Sequence, residues 1–152
     1  MLTIRKIERK DKEIYLGMAK DFYASDAVLI HVGEDHFRSA FDELMRSDTY
    51  LECFIFEWDG AVAGYALLVK TYSQEAGGLA IWIDELYVAP QFRGRGIGHE
   101  FFSYLYRTRP GDVRRFRLEV EKENEGAVKL YRSLGFSPLP YDQMIVDFPE
   151  TK

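Results

Sequence analysis

Residues 79–88 read LAIWIDELYV, ten positions of which only Asp84 and Glu85 carry charge. A half-buried strand alternates apolar and polar side chains, whereas a strand with so little alternation is covered on both faces. The run therefore predicts a central strand in a sheet with helices on both sides. It also singles out its two acids, because a buried carboxylate is costly unless it is paired or used. By simple alternation Asp84 shares a face with Leu86 and Val88, and Glu85 shares one with Tyr87. A bulge would break that parity, so both acids remain candidates for chemistry.

The flanking segments supply the other elements. LTIRKI at 2–7 alternates as a half-buried strand does. From Asp11 to about Tyr23, Ile14, Tyr15, Met18, Ala19 and Phe22 recur at helical spacing. A second helix from about Glu34 to Arg46 rests on Phe37, Phe41 and Leu44. YLECFIFEW and AVAGYALLVKTY are two apolar runs joined by Asp59-Gly60, a hairpin signal, and are expected to pair antiparallel. After the Gly77-Gly78 break come the central strand, a helix through about Tyr106 and a strand at 114–121. A helix from about Asn124 to Leu134, closed by Gly135, and a last strand near YDQMIVDF complete the chain. The order is β-α-α-β-β-β-α-β-α-β. It predicts an α/β (α+β) fold: one mixed, mostly antiparallel sheet of six to seven strands flanked by about four helices, in one domain spanning 1–152.

A chain of 152 residues is long enough to bury roughly 70% of its unfolded surface. The 47% hydrophobic and 30% charged composition is that of a folded globular protein. A net charge of -5 disfavours a general nucleic-acid binder and suits a cationic small substrate better. The single cysteine, Cys53, excludes an internal disulfide and any multi-cysteine metal site. It lies in the apolar run LECFIF and reads as a core residue. His31, His36 and His99 have no metal spacing, and no metal is predicted. No apolar stretch has signal-peptide or membrane-span length, so a cytoplasmic protein with no membrane partner is expected.

The central strand runs into QFRGRGIG at 91–98. A dinucleotide fingerprint, G-x-G-x-x-G, fails here: counted from Gly94 its last position falls on His99, and from Gly96 on Phe101. A phosphate loop ending in Gly-Lys-Ser or Gly-Lys-Thr is absent from the chain. What remains is a loop between a buried strand and a helix, with Gly94, Gly96 and Gly98 removing every second side chain. Bare amides at a helix N-terminus form an anion site, and Arg93 and Arg95 add charge beside it. A tight turn with solvated arginines would read the same way.

Two blocks carry a resemblance. R-x-x-G-x-G, met by Arg93, Gly96 and Gly98 after LYVAPQF, resembles the acetyl-CoA pyrophosphate loop of the GNAT N-acetyltransferase superfamily. NEGAVKLYRSLGF at 124–136 is similar to that family's closing motif N-x-x-A-x-x-L-Y-x-x-x-G-F, and the element order matches over nearly the whole chain. The resemblance implies acetyl-CoA as cosubstrate and direct transfer to an amine. Leu86, Tyr87 and Val88 would line the pantetheine arm and offer a backbone donor to the thioester carbonyl. Arg93, Gly94, Arg95, Gly96, Ile97, Gly98 and His99 would hold the pyrophosphate, with the arginines as support. Asn124 and Ala127 would contact the cofactor, although an N-cap is an equal reading of Asn124.

An alkyl amine with a pKa near 10 is mostly protonated at neutral pH, so a base is required. Asp84 and Glu85 are the candidates, and the resemblance implies that Tyr131 protonates the departing thiolate. The first two helices and their loop would shape the acceptor pocket, with Tyr23, Asp26, His31, Glu34, Asp35 and His36 available to a cationic amine. IDELYV and RGRGIG look similar to the polyamine acetyltransferase branch, which suggests a small amine, polyamine or amino acid as acceptor. Protein N-terminal or lysine acetylation is the alternative within the class. Outside it stand a silent acyl-CoA sensor and a nucleotide-binding module. The resemblance also allows a homodimer paired through C-terminal strands.

Overall fold

A computed structural model describes residues 1–149 of the chain. Contacts divide it into two compact units, Met1–Glu119 and the segment from Val120 onward.

The first unit is a five-stranded sheet in the order β1 (Leu2–Lys6), β2 (Leu51–Trp58), β3 (Ala61–Ser73), β4 (Gly78–Val88), β5 (Val113–Arg117). All neighbours are antiparallel except β4 and β5, which are parallel and joined through a helix. Three helices belong to this unit: α1 (Lys12–Tyr23), α2 (Glu34–Arg46) and α3 (Ile97–Thr108). The predicted hairpin forms as expected, with Asp59-Gly60 as its two-residue turn and Trp58 opposite Ala61.

Burial on both sheet faces explains the apolar runs. In β2, Cys53 and Ile55 join Tyr15, Leu16, Ala19, Phe22, Phe37 and Phe41 of α1 and α2, together with Tyr65, Leu67 and Tyr87, in one core cluster. Phe54 and Phe56 alternate to the other face, where their rings lie 5.9 and 5.1 Å from Phe101 of α3. Cys53 is buried in the core, and burial pushes its thiol up, as its reading as a core residue requires.

One buried ion pair ties β1 to the start of α1. Arg5 donates to both oxygens of Asp11 at 2.8 and 2.9 Å and to Glu57 at 2.7 Å, and the Glu8 amide adds a bond to Asp11. The Arg5 hydrogen bond, more than any other influence, lowers the Asp11 pKa below its ordinary 3.8. The carboxylate therefore contributes stability above that value, and the contribution is lost as pH falls through the lowered pKa. Asp11→Ala is expected to destabilise by about 3 kcal/mol, because it leaves Arg5 without its main partner. Urea unfolding at neutral pH measures this loss.

The second unit holds α4 (Glu125–Ser133). Two expectations require correction. The sheet has five strands among the described residues, not six to seven, because 141–148 forms no strand. A β-strand exists only through a hydrogen-bonded neighbour, and YDQMIVDF has none there: Met144, Ile145, Val146 and Phe148 are all exposed. The strand expected at 114–121 is Val113–Arg117, and its pairing with β4 ends at Trp82 opposite Arg117. No helix among the described residues is long and apolar enough to cross a membrane.

Candidate functional site

The site is built around an irregularity in β4. Leu67 lies opposite Glu85 and Leu68 opposite Ile83, so Asp84 is an extra residue with no partner on β3. This bulge falls just beyond the last β4–β5 pair, Trp82 with Arg117. From Ile83 to Val88 the outer edge of β4 thus has no strand beside it among the described residues. Bulges concentrate twist and re-aim side chains, and this one gives two adjacent acids different surroundings.

Asp84 is solvent-exposed. Its pKa is nevertheless raised, first by partial loss of solvent and then by the Glu119 carboxylate. Since its surface is open to water, like-charge repulsion is the firmer of the two causes. Glu85 is buried, with 6% of its surface exposed. Its Oε1 accepts from the Tyr65 hydroxyl at 2.6 Å and its Oε2 from the Tyr23 hydroxyl at 2.8 Å. Burial raises the Glu85 pKa, the two hydroxyls oppose that shift and Asp84 reinforces it. Of the paired predictions from alternation, Glu85 with Tyr87 holds: both lie on the α1–α2 side, where the Tyr87 hydroxyl reaches Asp21 at 3.4 Å.

The glycine loop follows directly. A 3-10 turn, Pro90–Phe92, leads to Gly94 and Gly96 at φ of 76° and 77°, the left-handed region that favours glycine. Gly96 is the N-cap of α3. Beyond the adjoining residues, no atom lies within 4 Å of the place a Cβ would occupy on either glycine. The loop thus exposes bare backbone at the head of a 12-residue helix, the arrangement an anion needs. Gly98 sits in the first turn, with Leu86 Cδ2 3.8 Å from its would-be Cβ. Ile97 is buried, so only its amide is free to serve, and His99 is exposed in the same turn.

Both arginines act on the protein itself. Arg93 Nε donates to the Val88 carbonyl at 2.8 Å, tying the loop to the end of β4. The Arg95 guanidinium lies 5.2 Å from the Trp58 ring and 5.7 Å from the Phe92 ring. Near the strand end, an open groove of about 470 Å³ is lined by α1 residues including Lys20 and Asp21, and by Tyr87, Ala89 and Gln91.

Tyr23, the last residue of α1, is half-buried, while Asp26 and His31 in the loop that follows and Glu34, Asp35 and His36 in the first turn of α2 are exposed. His31 Nδ1 lies 2.6 Å from the Tyr23 carbonyl oxygen, so the loop folds back on the end of α1. Asn124, Ala127 and Tyr131 belong to the second unit, on α4. There Asn124 is the N-cap, its side-chain oxygen accepting from the Ala127 amide at 3.2 Å. The Tyr131 ring packs edge-on against Phe136 at 6.0 Å.

Tyr65 is the residue the sequence reading passed over. In the antiparallel register it faces Tyr87 and lies diagonal to Glu85. A hydroxyl-bearing ring in one apolar strand and an acid in the next need each other when both are buried, and pairing the two strands would have found them.

Comparison with known proteins identifies the family and the fold. Residues 12–136 match the model of the acetyltransferase (GNAT) family. Thialysine N-epsilon-acetyltransferase of Mus musculus is 35% identical over 79 residues, 51% of this chain and 46% of that protein. The chain thus aligns with about half the length of that curated relative. A possible acetyltransferase from Clostridium difficile 630 superposes with a TM-score of 0.84 at 20% identity, covering 99% of each chain. An aminoglycoside N-acetyltransferase in complex with CoA superposes at 0.72 with 21% identity, covering 99% of this chain and 95% of that one. At these identities the two structures establish a shared fold. With the family model matching most of its length, the chain belongs to the acetyltransferase (GNAT) family.

Proposed function

We propose that the chain is an N-acetyltransferase, acting as one catalytic domain, that moves an acetyl group from acetyl-CoA directly to a primary amine of a small molecule. One observation carries the reading: a bulged acid, an unpaired strand edge and a bare-backbone helix start follow one another along Ile83–Gly98. Each answers a need of amine acetylation, namely a proton acceptor, a donor for the thioester oxygen and a seat for the pyrophosphate. The family relative that acts on thialysine supports a small amine of the polyamine or amino-acid type.

Acetyl-CoA supplies the activated thioester. The open space over Gly94 and Gly96 fits its pyrophosphate, which the amides from Gly94 to His99 would hold. Backbone amides within Leu86–Val88 would donate to the carbonyl oxygen as negative charge grows there. Asp84 is the base in this account. It is reachable from solvent, and its raised pKa brings it closer to the working pH, where proton transfer is most effective. Glu85 is less suited because each of its oxygens already accepts a hydroxyl. As the nitrogen–carbon bond forms and the carbon–sulfur bond breaks, the amine proton passes to Asp84. By resemblance, Tyr131 gives the thiolate its proton.

The cofactor assignment is tested by calorimetric titration of acetyl-CoA, ATP and NAD in parallel. Tight binding of acetyl-CoA alone is expected. Preference for ATP or NAD would replace this reading with a nucleotide-binding module.

A further inference from the structure

The groove beside the strand end has no role in the acetyl-transfer step. Its volume is about 470 Å³, and it lies between α1, the start of β3 at Val62 and the end of β4 at Tyr87 and Ala89. Its α1 wall is the stripe Ile14, Gly17, Met18 and Asp21, spaced so that one helix face meets the groove, with Lys20 beside Asp21. Neither Asp84 nor any residue of Gly94–His99 lines it. Asp84 lies three residues before Tyr87, roughly 10 Å away along an extended strand.

Gly17 marks the groove as more than a gap in packing. Glycine is among the poorest helix formers, yet this one stands in the middle of a 12-residue helix. Beyond its own helix backbone and its chain neighbours, no atom lies within 4 Å of the place its Cβ would occupy, so no neighbour demands a glycine there. What the missing side chain does is open the α1 wall.

The wall changes character along its length. Over about 10 Å from Ile14 to Asp21 it passes from apolar to charged. Ile14 leaves 42% of its surface exposed at the apolar end. At the other end Lys20 and Asp21 have no ion-pair partner among the described residues, not even each other. Asp21 accepts a long hydrogen bond, 3.4 Å, from the Tyr87 hydroxyl. A cation and an anion side by side, each without a counter-ion, complement a ligand that carries both charges close together. A diamine would set an ammonium against Lys20, and a fatty acid would set its carboxylate against Asp21. The apolar stretch ahead of the charges suits an unbranched hydrocarbon tail.

We propose that this groove is a second ligand site, which takes a free α-amino acid with an extended apolar side chain. The carboxylate sits on Lys20, the ammonium on Asp21, and the side chain runs past the Gly17 notch toward Ile14. The ligand is held and not acetylated, because its ammonium is seated away from Asp84. The site lies outside the acetyl-transfer reading and does not rest on it.

The test is calorimetric titration of the full chain with L-norleucine, L-norleucine amide, which lacks the carboxylate, and hexanoate, which lacks the ammonium. Norleucine is expected to bind at least about tenfold more tightly than either analogue, as the loss of one charge-assisted hydrogen bond implies. Lys20→Gln should bring norleucine down to the level of its amide, and Asp21→Asn down to that of hexanoate. Gly17→Leu, at an exposed helical position that favours leucine, should remove norleucine binding and leave acetyl-CoA affinity as in wild type. Lys20→Gln is an exposed change and keeps the test independent of any effect of Gly17→Leu on folding. Equal affinity for the three compounds, absence of norleucine binding, or binding that survives Gly17→Leu would overturn the proposal. So would acetylation of norleucine that Gly17→Leu abolishes, since the groove would then belong to the acceptor site. Norleucine binding of the expected pattern with no thiol release on any amine supports the groove and removes the transferase.

Discussion

Asp84→Asn is expected to lower kcat/KM at neutral pH by roughly two to three orders of magnitude, the usual contribution of a positioned base. The loss should depend on pH in a specific way. In wild type, activity falls as pH drops through the raised pKa of Asp84, because protonation removes the acceptor for the amine proton. In the variant that acidic limb disappears, and activity climbs toward the pKa of the free amine, about 10. The substitution is nearly isosteric at an exposed position, so stability should change little. Rates measured from acid to alkaline pH decide the matter. If the acidic limb survives in Asp84→Asn and vanishes in Glu85→Gln, the base is Glu85.

Gly64→Ala should be nearly as damaging, for a steric reason. A Cβ on Gly64 would lie 2.1 Å from the Tyr87 carbonyl oxygen and 3.0 Å from Val88 Cα. Both are backbone atoms of β4, where no rotamer change can relieve the contact. Gly64 is paired with Val88 in the register, so β3 and β4 would have to part at the strand end that leads into the glycine loop. A cost of about 3 kcal/mol follows from overpacking of this severity. The same displacement moves the Val88 carbonyl that holds Arg93, and affinity for acetyl-CoA should fall with it. Urea unfolding and acetyl-CoA titration of the one variant read the two effects separately.

The legible part of the fold lay where a local pattern and a tertiary demand coincide. LAIWIDELYV read as a doubly covered strand because burial on both faces leaves no polar alternation, and the apolar run LECFIF in β2 is covered on both faces in the same way. Asp59-Gly60 and Gly94 to Gly98 were readable because backbone geometry at those turns selects residue type directly. YDQMIVDF misled because β-propensity describes a surface that fits a sheet and does not supply the neighbouring strand. Within the site, the acids were visible as charges in an apolar run, but their separation into an exposed Asp84 and a clamped Glu85 was not. It depends on one unpaired residue in the β3–β4 register and on the diagonal reach of Tyr65, neither of which is encoded in the spacing of β4 alone.

Amine-dependent release of the CoA thiol from acetyl-CoA, followed over a panel of diamines, monoamines, amino acids and peptides, tests the central claim most directly. Thiol release is expected to require both an amine and Asp84, with an acetylated amine as product. Tight binding of acetyl-CoA with no thiol release on any amine would contradict it and identify an acyl-CoA sensor.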